Sequence, residues 1–240
     1  SGRIGRGVTG GTQRLRAVAS VVGVCAILCL LPVVVTSPYY LHVFIISFIY
    51  AAGAVCARTI ILSGQFPLAH ATFMAIGGYA SAILSERYGL SPWLTIVVGG
   101  AVAGVIATLF AYPFSRLRAF YYCIGSLLVG VAFIDLIYAF ASITGGWSGY
   151  AHVPKLFDTP SKVPYYYLSL GLAAVVMIIC YRWEHSRVGL HVRAVTESHL
   201  MASSLGIDEA RYRVFVVGFG STLAGFVGAF YVHYLGVAAP

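Results

Sequence analysis

An all-α, polytopic membrane bundle is the fold class this sequence predicts, and three observations carry that prediction. Apolar runs of about 20 residues recur along the chain, long enough to cross a bilayer core as helices. Hydrophobic residues make up 60% of the 240 positions and charged residues only 9%. The 15 Lys+Arg and 7 Asp+Glu fall mostly between the runs rather than inside them. A water-soluble chain of this size needs far more charged surface to cover its core, so that class is set aside.

Seven stretches qualify as spans: 17–36, 41–57, 67–84, 93–112, 120–143, 163–181 and 214–235. The second and third are interrupted by Arg58 and by the Ser63-Gly64-Gln65 turn, which split one long apolar region. The basic residues 1–16 precede the first span, residues 17–240 form the membrane domain, and 182–213 is its longest polar interval. No clear cleavage site follows the first run, which is therefore expected to stay as a span. With the N-terminus inside, the inner segments hold Arg3, Arg6, Arg14, Arg16, Arg58, Arg116, Arg118, Arg182, Arg187, Arg193, Arg211 and Arg213, and the outer ones only Arg87, Lys155 and Lys162. That asymmetry sets the orientation and accounts for a net charge of +8 without nucleic acid. The five cysteines lie in or beside apolar segments and imply packing rather than a disulfide framework.

Small residues form columns where helices meet. Gly220, Ala224 and Gly228 make one, Ser221, Gly225 and Ala229 a second, Gly100 and Gly104 a pair, and Ala71, Ala75, Gly78 and Ala82 a fourth. Such columns let backbones approach closely in any polytopic protein.

Three segments carry more than packing. In Ser63-Gly64-Gln65-Phe66-Pro67-Leu68-Ala69-His70, a Gly-Gln-x-Pro break frees backbone groups at membrane depth, tolerable only against protein or a water-filled cavity. Pro67 suits the first turn of the helix that follows. His70 taken alone fits a hydrogen-bonded structural histidine better than a functional one. Thr144-Gly145-Gly146-Trp147-Ser148-Gly149 closes the fifth span, either as a site with close backbone approach or as an ordinary helix-ending turn. Asp135, the acidic residue inside a span, calls for a cavity, a partner or neutralisation. Between Arg182 and Arg213, Ala194, Ser198, Met201 and Leu205 share a helical face, Arg193 and Glu197 are spaced to pair, and Gly206 is placed to end the helix. Ala202, Ser203 and Ser204 favour contact with protein over lipid.

Gly64-Gln65-x-x-Leu68-x-His70-Ala71-x-Phe73-x-x-Ile76-Gly77-x-Tyr79 resembles the signature of branched-chain amino acid ABC transporter permeases of the LivM type, a group that includes urea and amide permeases. Arg116-Leu117-Arg118-x-x-Tyr121, Thr144-Gly145-Gly146-x-x-Gly149 and Ser186-Arg187-x-Gly189 follow in the family's order. Arg193-Ala194, Glu197, Ala202, Leu205-Gly206-Ile207 and Ala224-Gly225-x-x-Gly228-Ala229 complete it, so the likeness runs from about Ile61 to the C-terminus.

The resemblance implies a permease subunit of the bacterial inner membrane, with no cofactor and no covalent chemistry. It implies a substrate path lined or shaped by Gly64, Gln65, His70, Gly77, Tyr79, Thr144, Gly145, Gly146 and Gly149, with Asp135 set beside them on its buried position in a span. A coupling segment with Arg193, Ala194, Glu197, Ala202 and Gly206 would dock on cytoplasmic ATP-binding subunits. A second homologous permease and an extracytoplasmic solute-binding protein are the other implied partners, and the solute is a branched-chain amino acid or a related small polar molecule. Pro67 and Ala69 replace residues that the family usually has as Ser and Gly, which predicts a stiffer local backbone. The chain stops at Ala239-Pro240, where relatives of this kind continue, so it reads as a truncated member.

Two rival readings stay open. An ion-coupled secondary transporter or channel would use Asp135 and no ATPase. Gly146-Trp147-Ser148-Gly149 also matches the GxSG of rhomboid-type intramembrane serine proteases, with His233 or His70 as the base. No GxxxxGK[ST] loop appears, so ATP hydrolysis belongs to another chain, and no CxxC or HExxH suggests a metal.

Overall fold

Residues 27–32, 37–117, 119–150, 152–157, 159, 161–197 and 208–239 are described by a computed structural model. In chain order the helices are α1 (Pro38–Ile61), α2 (His70–Tyr88), α3 (Pro92–Phe114), α4 (Ala119–Ala139), α5 (Ala141–Thr144), α6 (Val163–Glu184), α7 (Arg187–Glu197) and α8 (Glu209–Leu235). A 3₁₀ turn spans Gly146–Ser148, and residues 27–32 are also helical. Proline in the first two positions starts α1, α3 and α6, where a missing N–H leaves nothing unpaired. The Asp208 carboxylate caps α8 by accepting from the Ala210 and Arg211 amides at 3.1 and 3.4 Å. Glycines in the left-handed region, Gly89 at φ 61° and Gly236 at φ 74°, end α2 and α8.

The all-α class holds, and the described residues bear out part of the expected seven spans. Five described helices are long and apolar enough to cross a membrane: α1, α3, α4, α6 and α8. The third expected span is α2, whose 19 residues are diluted by Gly, Ala and Ser and end in Glu86-Arg87-Tyr88. Neighbouring helices bury it, which is why it can be less apolar than a lipid-facing span. The first expected span lies mostly outside the described residues. The fifth stops at Ala139 rather than Ile143, because the chain breaks at Phe140 before the short α5.

Helix α8 is the centre of the bundle, with 67% of its most apolar window buried against 17% for α4. Its glycine columns explain this. A Cβ on Gly225 would lie 2.5 Å from Ala103 Cβ and 3.1 Å from Gly100 Cα, and one on Gly228 would stand 2.6 Å from the Met74 carbonyl carbon. A Cβ on Gly99 would sit 2.5 Å from the Gly77 carbonyl oxygen. Helices α2, α3 and α8 therefore meet backbone to backbone, and lipid supplies no hydrophobic force that could replace those contacts. Gly100 and Gly104, expected as a pair, instead receive Phe226 and Thr222 of α8. A second layer joins α1 to α6 through Ile45, Ile49, Cys56, Tyr166, Val176 and Cys180, and α8 closes it with Leu223, Val227 and Phe230.

Cations segregate to the two ends of the bundle. At one end Arg58, Arg193 and Arg213 reach Glu184 and the Ser115 carbonyl. At the other, Arg87 donates to the Ser142 carbonyl and Lys162 to the Pro38 carbonyl. This is the division the charge pattern predicts for a multi-pass membrane protein.

Gly228→Ala is expected to destabilise the bundle by about 1–3 kcal/mol, because the Met74 backbone cannot yield. Gly171→Ala, on α6 with nothing within 4 Å of the added carbon, is expected to be neutral or slightly stabilising. Denaturant midpoints of the two variants in mixed micelles check the contrast.

Candidate functional site

Helix α1 ends at Ile61, and the chain turns through Leu62, Ser63 and Gly64, whose φ of 77° favours glycine. The turn satisfies itself: the Ser63 amide donates to Ile60 and the Gly64 amide to Ile61, both at 2.9 Å. Residues 65–67 then carry no helical structure. The next helix starts at His70 rather than at Pro67, which instead opens the turn closed by the His70 amide on the Pro67 carbonyl at 3.4 Å. His70 Nε2 donates to the Gly53 carbonyl at 2.9 Å. Gly53 lies eight residues before Ile61, about 12 Å along α1, so the unwound segment climbs back to membrane depth before α2 begins. Its backbone is met by protein, as the Leu68 amide donates to Ser126 Oγ of α4 at 3.1 Å.

Gln65 is 2% exposed, and neither of its amide atoms has a hydrogen-bond partner among the described residues. His70 Nδ1 and the Tyr79 hydroxyl are buried and unpartnered in the same sense. Buried polar atoms are usually paired, and Trp183 Nε1, Arg213 Nε and Ser221 Oγ share this state elsewhere in the bundle. Tyr79, about 13 Å up α2 from His70, borders a cavity of about 360 Å³ with Tyr50, Ala71, Met74, Ala75 and Tyr231. Gly77 faces elsewhere: its missing side chain admits the Gly225 backbone.

The Thr144–Gly149 turn docks on the end of α8. Thr144 Oγ1 donates to the Ile137 carbonyl at 2.6 Å, and Gly145, Gly146 and Gly149 all have positive φ. A Cβ on Gly149 would lie 3.0 Å from the Ala238 carbonyl carbon, and one on Gly146 2.8 Å from Ala141 Cβ. Tyr150 and Ala238 exchange backbone hydrogen bonds of 2.8 and 2.9 Å just beyond. Trp147 is 82% exposed and stacks on Tyr138. Asp135 stands apart: it is exposed on α4 and does not border the cavity beside Tyr79. The packing of α4 explains the difference, since that helix turns most of its surface outward.

At the arginine-rich end, Glu184 closes α6. The Arg58 guanidinium donates to both its oxygens, at 2.7 and 3.0 Å, and Arg193 of α7 reaches it as well. Arg193 is therefore engaged with α6, whereas the side chain of Glu197, its expected partner, lies outside the described residues. Ser186 leads into α7, and Gly189 is required there because a Cβ would stand 2.6 Å from the Trp183 carbonyl oxygen. Thr196 Oγ1 lies 3.0 Å from the Leu62 carbonyl and Thr196 Cγ2 3.4 Å from where a Gly64 Cβ would be. Helix α7 thus rests on the turn that begins the unwound segment. Ala194 is exposed while Val192 is buried, so the outer face of α7 is open. Ala202 and Gly206 lie outside the described residues.

Sequence reasoning missed the Glu184 clamp and the role of His233. The signal for the first was Arg58 and Glu184 at the same ends of two apolar helices in a chain with only 7 acidic residues. His233 is fully buried. Its Nδ1–H donates to the Pro154 carbonyl at 2.7 Å, and Nε2 accepts from Ser81 Oγ at 2.8 Å with Thr95 Oγ1 at 3.1 Å. Ser148 is exposed. Both nitrogens of His233 are committed elsewhere, and His70 is held on α1, so neither histidine is poised to activate Ser148 and the protease reading falls. No group of three or more metal-ligating side chains occurs among the described residues.

A family model described as "Branched-chain amino acid transport system / permease component" matches residues 39–240. The chain belongs to this permease family. The permease is 26% identical over 206 residues to the high-affinity branched-chain amino acid transport system permease protein LivM of Escherichia coli (strain K12), covering 75% of this chain and 48% of that protein. It matches LivM of Salmonella typhimurium to the same extent. It is also 30% identical over 175 residues to the nucleoside ABC transporter permease protein NupC of Lactococcus lactis subsp. cremoris, covering 66% of this chain and 55% of that protein. The chain spans about half the length of the curated relatives it matches. These relatives are transport proteins rather than enzymes, and no solved structure matches the permease.

Arg193→Ala is expected to loosen α7 by about 1 kcal/mol, discounted for the exposure of the arginine, and so to speed amide exchange over 187–197 roughly fivefold. Hydrogen-exchange mass spectrometry in detergent reads this directly. Exchange over α3 should not change.

Proposed function

We propose that this chain forms the membrane path and coupling region of an ATP-driven ABC importer for branched-chain amino acids or related small polar solutes such as urea and amides. Its place is the bacterial inner membrane, with the N-terminus and the arginine-rich end in the cytoplasm. The cytoplasmic ATP-binding subunits grip the 182–213 segment through Arg193, Ala194, Glu197, Ala202 and Gly206. A second homologous permease and an extracytoplasmic solute-binding protein complete the complex.

One observation carries this reading: α7 sits on the turn that opens into the unwound segment, through Thr196 and the Leu62 carbonyl. Residues 65–67 have no helical hydrogen bonds to break, so they bend at lower cost than α1 or α2 on either side. A push on α7 from below therefore acts first on Gln65 and its neighbours. Gln65 in the unwound segment and His70 and Tyr79 on α2 each offer the solute a spare hydrogen-bonding atom. Gly64 shapes the path at the turn and Gly77 by letting α8 approach, while Thr144, Gly145, Gly146 and Gly149 hold its opposite end against α8. Asp135, exposed on α4, takes no part, and with it goes the main support for ion coupling.

Glu197→Lys or Gly206→Leu is expected to cut co-purification of the ATP-binding subunit several-fold while the chain still inserts in the membrane. Solute-stimulated ATP hydrolysis should fall in parallel. Unchanged hydrolysis in both variants would contradict the proposal.

A further inference from the structure

Arg116 opens the Arg116-Leu117-Arg118 motif just past Phe114, the last residue of α3. Its side chain is exposed and has no partner among the described residues. It borders a cavity of about 710 Å³ between the end of α3 and the start of α8, together with Tyr112, Pro113, Asp208, Arg211 and Val214. That volume falls within the roughly 300–1,000 Å³ range of ligand sites.

The charges around this cavity do not balance. Asp208 accepts the Ala210 and Arg211 amides on one oxygen, at 3.1 and 3.4 Å, and meets Arg211 Nε with the other at 2.9 Å. Arg211 keeps both terminal nitrogens without a described partner. Glu209 pairs with Arg213, which also donates to the Ser115 and Leu117 carbonyls at 3.3 and 3.5 Å. Each carboxylate is thus matched by one guanidinium, and Arg116 is left as an uncompensated cation. Helices α3 and α8 are both long and apolar enough to cross a membrane, so the cavity lies at the level where helix ends meet headgroups. Its inner wall is apolar: Val214 lies about 4.5 Å deeper along α8 than Arg211, and Pro113 precedes Arg116 on α3. Tyr112, 75% exposed, adds an amphipathic ring of the kind found at membrane interfaces.

We propose that this cavity holds the phosphate headgroup of an anionic phospholipid between Arg116 and Arg211, with the acyl chains running inward past Pro113 and Val214. A guanidinium offers a phosphate two parallel N–H donors, and basic pockets between membrane helices suit such headgroups. Solvation at a helix end would account for either arginine singly, but not for a free and a half-engaged arginine sharing one cavity with an apolar inner wall. A carboxylate from a docking protein would neutralise Arg116 and leave that inner wall unfilled, whereas a lipid fills both parts.

The test uses the full chain purified in neutral detergent, with phosphatidylglycerol or phosphatidylcholine added at equal concentration and bound lipid counted by native mass spectrometry. Phosphatidylglycerol should be retained in preference to phosphatidylcholine, and Arg116→Gln and Arg211→Gln should each lower its retention roughly fivefold. Arg116→Lys, which keeps the charge, should retain more than Arg116→Gln, and Arg87→Gln at the opposite end of the bundle should change nothing. A photoreactive phosphatidylglycerol should crosslink to 112–116 or 208–214. Glycerol 3-phosphate in large excess should fail to displace the lipid, which separates a lipid site from one for a free phosphate. Equal retention of the two lipids, unchanged retention in both glutamine variants, crosslinks confined to other segments, or displacement by glycerol 3-phosphate overturns the proposal. So does loss of a co-purifying ATP-binding subunit in Arg116→Gln with lipid retention intact, which would assign the cavity to a protein contact. The lipid count requires only that the chain spans a membrane, so it is decided independently of what the chain transports.

Discussion

Contact between bare backbones in α2, α3 and α8 is the constraint on which the rest of the structure depends. Gly77 against Gly225, Gly99 against Gly77 and Gly228 against Met74 leave no room for a single additional carbon. In lipid, two helices gain nothing by hiding apolar side chains from each other, because the tails are equally apolar. What remains is van der Waals contact, and it is strongest where side chains do not hold the axes apart. The three helices form a frame against which the looser elements take their positions.

Those elements are placed by polar contacts rather than by packing. The unwound segment is held by the His70 bond to α1 and the Leu68 amide bond to Ser126 of α4. Helix α7 is held by Glu184 and by Thr196 on Leu62. Each contact is directional and separately breakable, unlike the glycine seam. The permease therefore joins a stiff frame to a small set of pinned parts, and the pinned parts include the positions that its family signature marks.

Much of this was legible from the sequence. The apolar runs and the charge asymmetry gave the helices and their two ends, and the small-residue columns named the α8 side of the seam, Gly225 and Gly228, but not Gly77 or Gly99. The Gly64-Gln65 break was also legible, because a glycine, an amide and a proline inside an apolar region have few other uses. Periodicity could not say which face each helix turns inward. Asp135 was therefore read as buried by its place in a span, whereas the weak packing of α4 leaves it outside. Gly77 was placed with the path because its motif neighbours are there, yet its Cα faces α8. The Glu184 clamp joins residues far apart in the chain, and a pairing of that kind leaves no trace in local spacing. The start of α2 at His70 rather than Pro67 reflects a contact with α1 that no propensity encodes.

The surroundings of His233 restrict what that position can be. A carbonyl oxygen has no hydrogen to give, so the ring nitrogen opposite Pro154 carries one, and the far nitrogen is left with a lone pair for the Ser81 hydroxyl. The imidazole is fixed as a single tautomer, donating from one edge and accepting at the other. An asparagine would mimic only the near edge and a glutamine only the far one, while a phenylalanine of similar breadth would strand both neighbours. Histidine alone among the natural residues bridges this gap, so the two ends of α8 differ in kind: one is capped by an exchangeable carboxylate, the other is keyed to a single side chain.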